Sequence, residues 1–523
     1  MNSQTITEVQ KFTSDIVWVA ASDIIPMLSS IVTLPALTKN YPVDLYGVWV
    51  QVGVTIGLLS PVLLLHLSTA VVRFLAAEED KNKIRYTLGA MLLPILVFVC
   101  FGFFTSLILR HNLSIFLFAD AEYAFFVPLA FLWASIEALF SFSLSYLRAR
   151  GKIKKLSIIR SVFAIAKMLV IVILAVANFR LEWVIGCITA VEAIFVVIVF
   201  TIIEREVGLP RLNTGGLKGF LVYSIPLIPH GVLLWVINAS DRYFITHFLD
   251  LSQTGIYSAS YALGSLISLF YSPISFVLFP TITKFWEQKE IVRVRSYLEY
   301  STKLFLTLAI PGIAGLYTLS QPLLGILATT EYMAGEGLVL LIALGVLLFG
   351  IYQINVYVIY LLQQTKWLTM MTAVAALTNA GINILLIPQI GTIGAAISTI
   401  VSYFILTTIV TLWARKTISY KVGFKYLVKI LLSTAVMSVC MRIVPVSGVL
   451  SLVLAVIVGT GVYILGIVLL KAFSQEDKRL VREMLSGLVP WLWKRKPVGN
   501  PPLIQEPDPI EQCEKNKKLK EGQ

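Results

Sequence analysis

Residues Tyr86 to Leu107, YTLGAMLLPILVFVCFGFFTSL, contain no charged side chain, and cations bracket them: Lys81, Lys83 and Arg85 before, Arg110 after. As a helix such a run rises about 33 Å, enough to cross a hydrocarbon core of roughly 30 Å. In lipid its backbone N–H and C=O groups find no water, so it must form their hydrogen bonds internally as a helix. Runs of this kind recur along the chain at 16–37, 46–65, 86–107, 123–146, 157–177, 183–203, 221–249, 256–280, 299–319, 336–361, 367–387, 391–413, 427–444 and 449–470. Of the 523 residues 57% are hydrophobic and 14% charged, against about a quarter charged in a soluble domain. The expected fold is an all-α polytopic membrane protein of about fourteen transmembrane helices.

The 42 Lys and Arg exceed the 29 Asp and Glu by 13, and their placement decides what that excess means. With the N-terminus inside, the outer loops hold only Lys39, Arg110, Arg180 and Arg442, while Lys167 and Arg242 lie within helices. Nearly all other cations then fall in inner loops and the C-terminal tail, which places both termini on the cytoplasmic side of the cell membrane. The net charge is an orientation signal rather than a nucleic-acid footprint.

Several function classes drop out. The longest outer loop, Ser320 to Gly335, is too short to hold an extracytoplasmic sugar-polymerising domain. No Gly-x4-Gly-Lys-Ser/Thr string cradles a nucleotide, and none of the four histidines forms a His-Glu-x-x-His pair. Cys100, Cys187, Cys440 and Cys513 show neither disulfide nor zinc spacing. No enzymatic site, metal or cofactor is expected. Movement of something across the membrane is the simplest activity left.

The string Asp44-Leu-Tyr-Gly47, then Ser60-Pro61 and Arg73-Phe74, is echoed about 210 residues later by Gln253-Thr-Gly-Ile-Tyr257, Ser272-Pro273 and Lys284-Phe285, a parallel six-plus-six repeat of the transporter kind. Pro226-Leu-Ile-Pro-His230, Ser240-Asp-Arg-Tyr-Phe244 and Gly255-Ile-Tyr-Ser-Ala-Ser-Tyr261 follow the first copy. With Pro35-Ala-Leu-Thr38, Tyr146-Leu-Arg-Ala149 and the block from Asn379-Ala-Gly-Ile-Asn383 through Ile387-Pro-Gln-Ile-Gly391 to Gly394-Ala-Ala-Ile-Ser398, the sequence resembles the polysaccharide-transport branch of the multidrug/oligosaccharidyl-lipid/polysaccharide flippase superfamily. The resemblance implies two six-helix lobes in a V-shaped bundle and movement of a lipid-linked oligosaccharide for O-antigen, capsule, teichoic acid or a related glycan. The implied partners are that glycan, membrane lipids and a glycan polymerase or glycosyltransferases, with no nucleic acid. The corresponding division is 1–210 and 211–415 for the lobes, 416–471 for two extra helices, 472–496 for an amphipathic interfacial helix and 497–523 for a disordered tail. The competing readings are a multidrug cation antiporter of the same superfamily, whose cavity should be acidic, and a non-transporting scaffold for glycan assembly.

Charges inside spans are expensive and mark candidate sites. Glu137, Lys167 and Glu192 stand nine to eleven residues from the inner ends of three successive spans, so they share one depth, roughly 14 to 17 Å inside. Such a layer serves either packing or a cavity wall; Arg160, seven residues before Lys167 on one helical face, favours the wall. Asn238, Asp241 and Arg242 at i, i+3 and i+4 offer a phosphate or sugar site near the outer interface, or a local pair. His230 beside Pro226 and Pro229 reads mainly as a partner for backbone groups freed by a break. Asp23, with no cation near in sequence, either hydrogen-bonds to another helix or, unpaired, is the candidate for coupling to a proton or sodium ion. Asn379 and Asn383 share a face and either bridge helices or line the cavity.

Overall fold

The computed structural model describes residues 3–472, and among these every regular element is a helix. Fourteen long helices form the bundle: α1 (Ser3–Asn40), α2 (Val43–Leu63), α3 (Lys81–Ile108), α4 (Phe126–Ala149), α5 (Ile153–Val176), α6 (Leu181–Val207), α7 (Leu217–Ala239), α8 (Leu251–Glu287), α9 (Ile291–Thr318), α10 (Glu336–Leu361), α11 (Thr365–Ile390), α12 (Thr392–Arg415), α13 (Phe424–Ile443) and α14 (Val449–Leu469). Twelve are long and apolar enough by themselves to cross a membrane; α9 makes a thirteenth together with the helix Ser320–Leu327 that follows it at a 67° bend. α1 carries the first apolar run. The interfacial helix expected over 472–496 and the tail 497–523 fall, apart from Ala472, outside the described residues.

The packing repeats itself with a shift of six helices. α1 lies along α5 as α7 lies along α11; α2, α4 and α6 follow one another as α8, α10 and α12 do; α5 faces α6 as α11 faces α12. Even the irregular pieces recur: the short helix Arg110–Phe118 and the 3-10 turn Glu122–Phe125 precede α4, and Ser320–Leu327 with the turn Thr330–Gly335 precede α10. Ser320 to Gly335 is therefore not the plain loop expected from sequence. The two halves are joined through residues 208–216, which lie across the start of α3: Arg85 Nε donates to the Leu209 carbonyl, Arg211 Nη1 to Tyr86 Oη at 2.8 Å, and Asn213 Nδ2 to the Tyr86 carbonyl at 2.8 Å. α13 packs on α9 and pairs with α14.

Prolines mark the irregularities. α7 breaks into Leu217–Ser224, a 3-10 turn Ile225–Leu227 and Ile228–Ala239, where Pro226 and Pro229 each remove a donor. A second break at Ser240 starts a new helix, Asp241–Phe248. The long tenth span, 336–361, runs unbroken through α10. Many hydroxyls inside the spans bond back to the preceding turn, as Thr55 does to the Gln51 carbonyl at 2.7 Å, which satisfies a donor that lipid cannot.

Candidate functional site

A cavity of about 1170 Å³ lies in the first half, between α1, α2, α4, α5 and the helix Leu67–Leu75, with Pro280 of α8 on its far wall. Its wall is hydrophilic for a membrane interior. Ser29, Ser30, Ser68, Thr69, Ser141 and Ser145 supply hydroxyls, and Asp23, Glu137, Arg148, Arg160 and Lys167 supply charges. The three cations descend from the α4–α5 loop into the bundle. Arg148 stands exposed in the last turn of α4, and Arg160 and Lys167 follow along α5 seven residues apart, about 10 Å of rise on one face.

The upper layer is built around a tryptophan. Trp133 Nε1 donates to Glu192 Oε2 at 2.7 Å, and the Lys167 ammonium stands over the Trp133 ring, 4.7 Å from its centroid. Glu137, one turn after Trp133 on α4, reaches Glu192 on α6, and Lys167 attracts Glu192 as well. Glu192 is fully buried, whereas Glu137 and Lys167 face the cavity. Lower down, Arg160 Nη1 pairs with Asp23 Oδ1 at 3.1 Å, both side chains being close to half exposed to the cavity. Asp23 is thus not an isolated carboxylate. Its cation comes from a helix 137 residues away in sequence that packs along α1.

The other candidates lie elsewhere. Arg242 and Asp241 are buried in the second half, 5% and 1% exposed, and do not line the cavity. Arg242 Nη1 bonds to Asp241 Oδ1 at 2.5 Å and to the Asn238 carbonyl at 2.7 Å, Tyr257 Oη donates to Asp241 Oδ2 at 2.5 Å, and the Tyr261 ring lies 3.9 Å under the guanidinium. Of the two readings of Asp241 and Arg242, the local pair is present, and two tyrosines of α8 enclose it. Asn238 receives the Tyr403 hydroxyl of α12. Asn379 and Asn383 bridge helices and do not line the cavity; Asn383 Nδ2 donates to Asn379 Oδ1 at 3.0 Å and Asn383 Oδ1 accepts from Ser398 Oγ of α12 at 2.5 Å, all three residues being fully buried. His230 Nδ1 is buried without a hydrogen-bond partner among the described residues.

At the end opposite the α4–α5 loop the halves meet tightly, and the sequence repeat is what meets. A Cβ on Gly47 would stand 2.0 Å from the Leu251 carbonyl oxygen, and one on Gly255 2.7 Å from that of Val43. Each glycine thus contacts the residue four before the other, so α2 and α8 cross about a local two-fold axis with a register of 208 residues. Small residues let the backbones approach. Thr38 Oγ1 donates to the Leu327 carbonyl at 2.9 Å, Lys39 Nζ to that of Ile326 at 2.6 Å, and Tyr46 meets Tyr332 edge-on at 5.8 Å. At the α4–α5 end the halves touch through the short helix Leu67–Leu75 and Leu217–Ser224, where Phe74 meets Phe220 at 5.0 Å. Sequence reasoning did not single out Trp133, Arg148 or the Gly47–Gly255 crossing. Trp133 was findable as the residue one turn before Glu137.

Residues 12–286, including every cavity-lining residue, match the family model for polysaccharide biosynthesis proteins. The chain belongs to that family. Among the curated relatives of this polysaccharide biosynthesis protein are two from Haloferax volcanii: the probable low-salt glycan biosynthesis flippase Agl15, 23% identical over 36% of this chain and 39% of that one, and the probable flippase AglR, 27% identical over 31% and 34%. The matched region thus spans between a third and two fifths of those relatives' lengths. The fold is similar to that of the lipid II flippase MurJ in an inward closed conformation, with a TM-score of 0.71 at 15% identity over 91% of this chain and 99% of the other. It is also similar to that of an inward-facing multidrug resistance transporter, with a TM-score of 0.63 at 11% identity over 76% and 97%. This family member is a multi-pass membrane protein with that fold.

Proposed function

We propose that the protein is a flippase that carries a polyprenyl-(pyro)phosphate-linked oligosaccharide across the cytoplasmic membrane for cell-surface polysaccharide synthesis. The observation that carries the reading is the descending row Arg148, Arg160 and Lys167 in a hydroxyl-rich cavity. A pyrophosphate entering the membrane brings charge into a region where it is costly, and guanidinium and ammonium groups offset that cost with charge-assisted hydrogen bonds. Serine and threonine hydroxyls suit the sugar. Three cations against two carboxylates make the wall unsuited to a cationic drug. With the cationic α4–α5 loop on the cytoplasmic side, the cavity is open inward and the α2–α8 crossing is the outer seal. Alternating access then consists of opening that crossing while the cavity closes below, coupled to an ion gradient.

The test is flipping of lipid-linked oligosaccharides by the purified protein in proteoliposomes. Lys167→Ala and Arg160→Ala lower the flipping rate at equal protein incorporation. Wild-type rates in the double variant would refute the cationic path.

A further inference from the structure

Glu192 poses a chemical problem that the packing does not solve. It is fully buried; one of its oxygens accepts from the Trp133 indole N–H at 2.7 Å, and the other, Oε1, has no donor among the described residues. Glu137 is the side chain beside it, and a carboxylate cannot donate. The ionisable groups acting on Glu192 from the helices around it are Glu137 of α4, which repels it, and Lys167 of α5, which attracts it. Farther down the same cavity Arg160 of α5 is engaged by Asp23 of α1. Two carboxylates and one ammonium leave one surplus negative charge in a region of low dielectric, and two adjacent carboxyls in such a place cannot both ionise. A single proton removes the surplus and supplies the missing donor, as an O–H between the two side chains.

We propose that Glu137 and Glu192 share one proton and form the proton-binding site of this chain, linked through Lys167 to the anion path. Glu137 faces the cavity and gives the proton its way in, and Glu192 holds it away from water. Lys167 belongs to both assemblies. When an anion in the cavity draws the ammonium away, the carboxyl pair loses its counter-charge and holds its proton more tightly. By linkage, protonation of the pair strengthens anion binding by the same factor. The proton site is thereby assigned to this pair and not to Asp23, which already has Arg160. The linkage rests on the proposed reading of the cavity; the shared proton does not.

Two measurements on the purified full-length protein separate them. Infrared difference spectra without ligand read the C=O stretch of a protonated carboxyl. Glu192→Gln and Glu137→Gln, which keep shape and the acceptor for Trp133, should each remove that band, and its persistence in both overturns the proposal. Calorimetric titration of inorganic pyrophosphate, in buffers of different ionisation enthalpy, reads protons taken up per anion bound. At a pH where the wild-type band has half its full height, wild type should take up more than Glu192→Gln, by up to half a proton, with the anion's own protons cancelling in the difference. Equal uptake overturns the linkage. A band lost as expected, with no pyrophosphate bound by wild type, upholds the proton site and refutes the anion-binding reading of the cavity.

Discussion

In the first half of the molecule α5 faces α6 through Lys167 and Glu192; in the second, α11 faces α12 through Asn379, Asn383 and Ser398. Lys167 and Asn379 occupy corresponding places, each fourteen residues after the start of its helix. The backbone arrangement is the same and the chemistry is not. Amides and a hydroxyl satisfy one another completely, need no solvent and fix two helices. A lysine with two carboxylates leaves an imbalance, and the imbalance lies against a cavity. The second half does hold a charge pair, Asp241 with Arg242, but tyrosines enclose it and it does not line the cavity. A repeated fold has one half built for rigidity and the other for a changing electrostatic load.

That contrast can be broken first at Arg242. Removing one member of a buried, hydrogen-bonded ion pair costs about 3–5 kcal/mol because the other charge is left unpaired. Arg242→Ala should therefore lower thermal stability sharply, with Arg242→Lys recovering only part because an ammonium lacks the planar fork. Combining Arg242→Met with Asp241→Leu should restore most of the loss in the same melting experiment. If Arg242→Ala instead melted like wild type and only flipping suffered, the second half would also be a ligand site.

The seal between the halves comes next. Gly47→Ala places a methyl carbon against a backbone oxygen that cannot rotate away, an overpacking cost of about 1–3 kcal/mol on the sealed state. Gly255→Ala should act in the same direction and more weakly, since its space is larger. Reaction of a cysteine placed at Val43 with an impermeant thiol reagent should rise in both variants. Equal protection in all three proteins would show that the crossing relaxes without opening.

How much of this could be read from sequence follows from the range of the interactions. Glu137, Lys167 and Glu192 were legible as one layer because distance along a helix is depth, and each was counted from a nearby loop. Span number and the break at Pro226 and Pro229 came from local rules of the same kind. That Asp23 bonds to another helix was one of its two readings, but which group it meets, Arg160, is set by the packing of α1 on α5, which no local pattern encodes. The pairing of Asp241 with Arg242 was legible as one of two readings, but the tyrosines that keep it buried belong to α8, which their own helix does not reveal. The repeat strings containing Gly47 and Gly255 were visible, but that the two copies touch each other is a property of the assembled halves.

A smaller effect on stability is expected at the amide bridge. Asn383→Ala takes the amide donor from Asn379 Oδ1 and leaves Ser398 Oγ only the Ala395 carbonyl and the Asn379 amide, a cost of about 1–2 kcal/mol for a buried group that loses its partner. Flipping per folded molecule should not change. A fall in flipping at unchanged melting temperature would contradict the division of labour between the halves.

The smallest stability effect, and the sharpest functional one, belongs to Asp23 and Arg160. Both are close to half exposed to the cavity, and an ion pair so solvated contributes under about 1 kcal/mol. Neither Asp23→Asn nor Arg160→Ala should move the melting temperature measurably. Their effects on anion binding should be opposite in sign. Arg160→Ala removes a guanidinium that can grip two phosphate oxygens, so the pyrophosphate affinity falls. Asp23→Asn frees the same guanidinium from its competitor, so the affinity rises, and release of a flipped substrate slows. Asp23 would then act as the group that takes Arg160 back once the anion has left. Titration calorimetry with pyrophosphate on the two variants and on the combination separates the roles. The combined variant should bind like Arg160→Ala alone, because with the guanidinium gone the carboxylate has no competitor to displace. If Asp23→Asn weakened binding as much as Arg160→Ala did, the carboxylate would be orienting the arginine for its ligand rather than competing with that ligand.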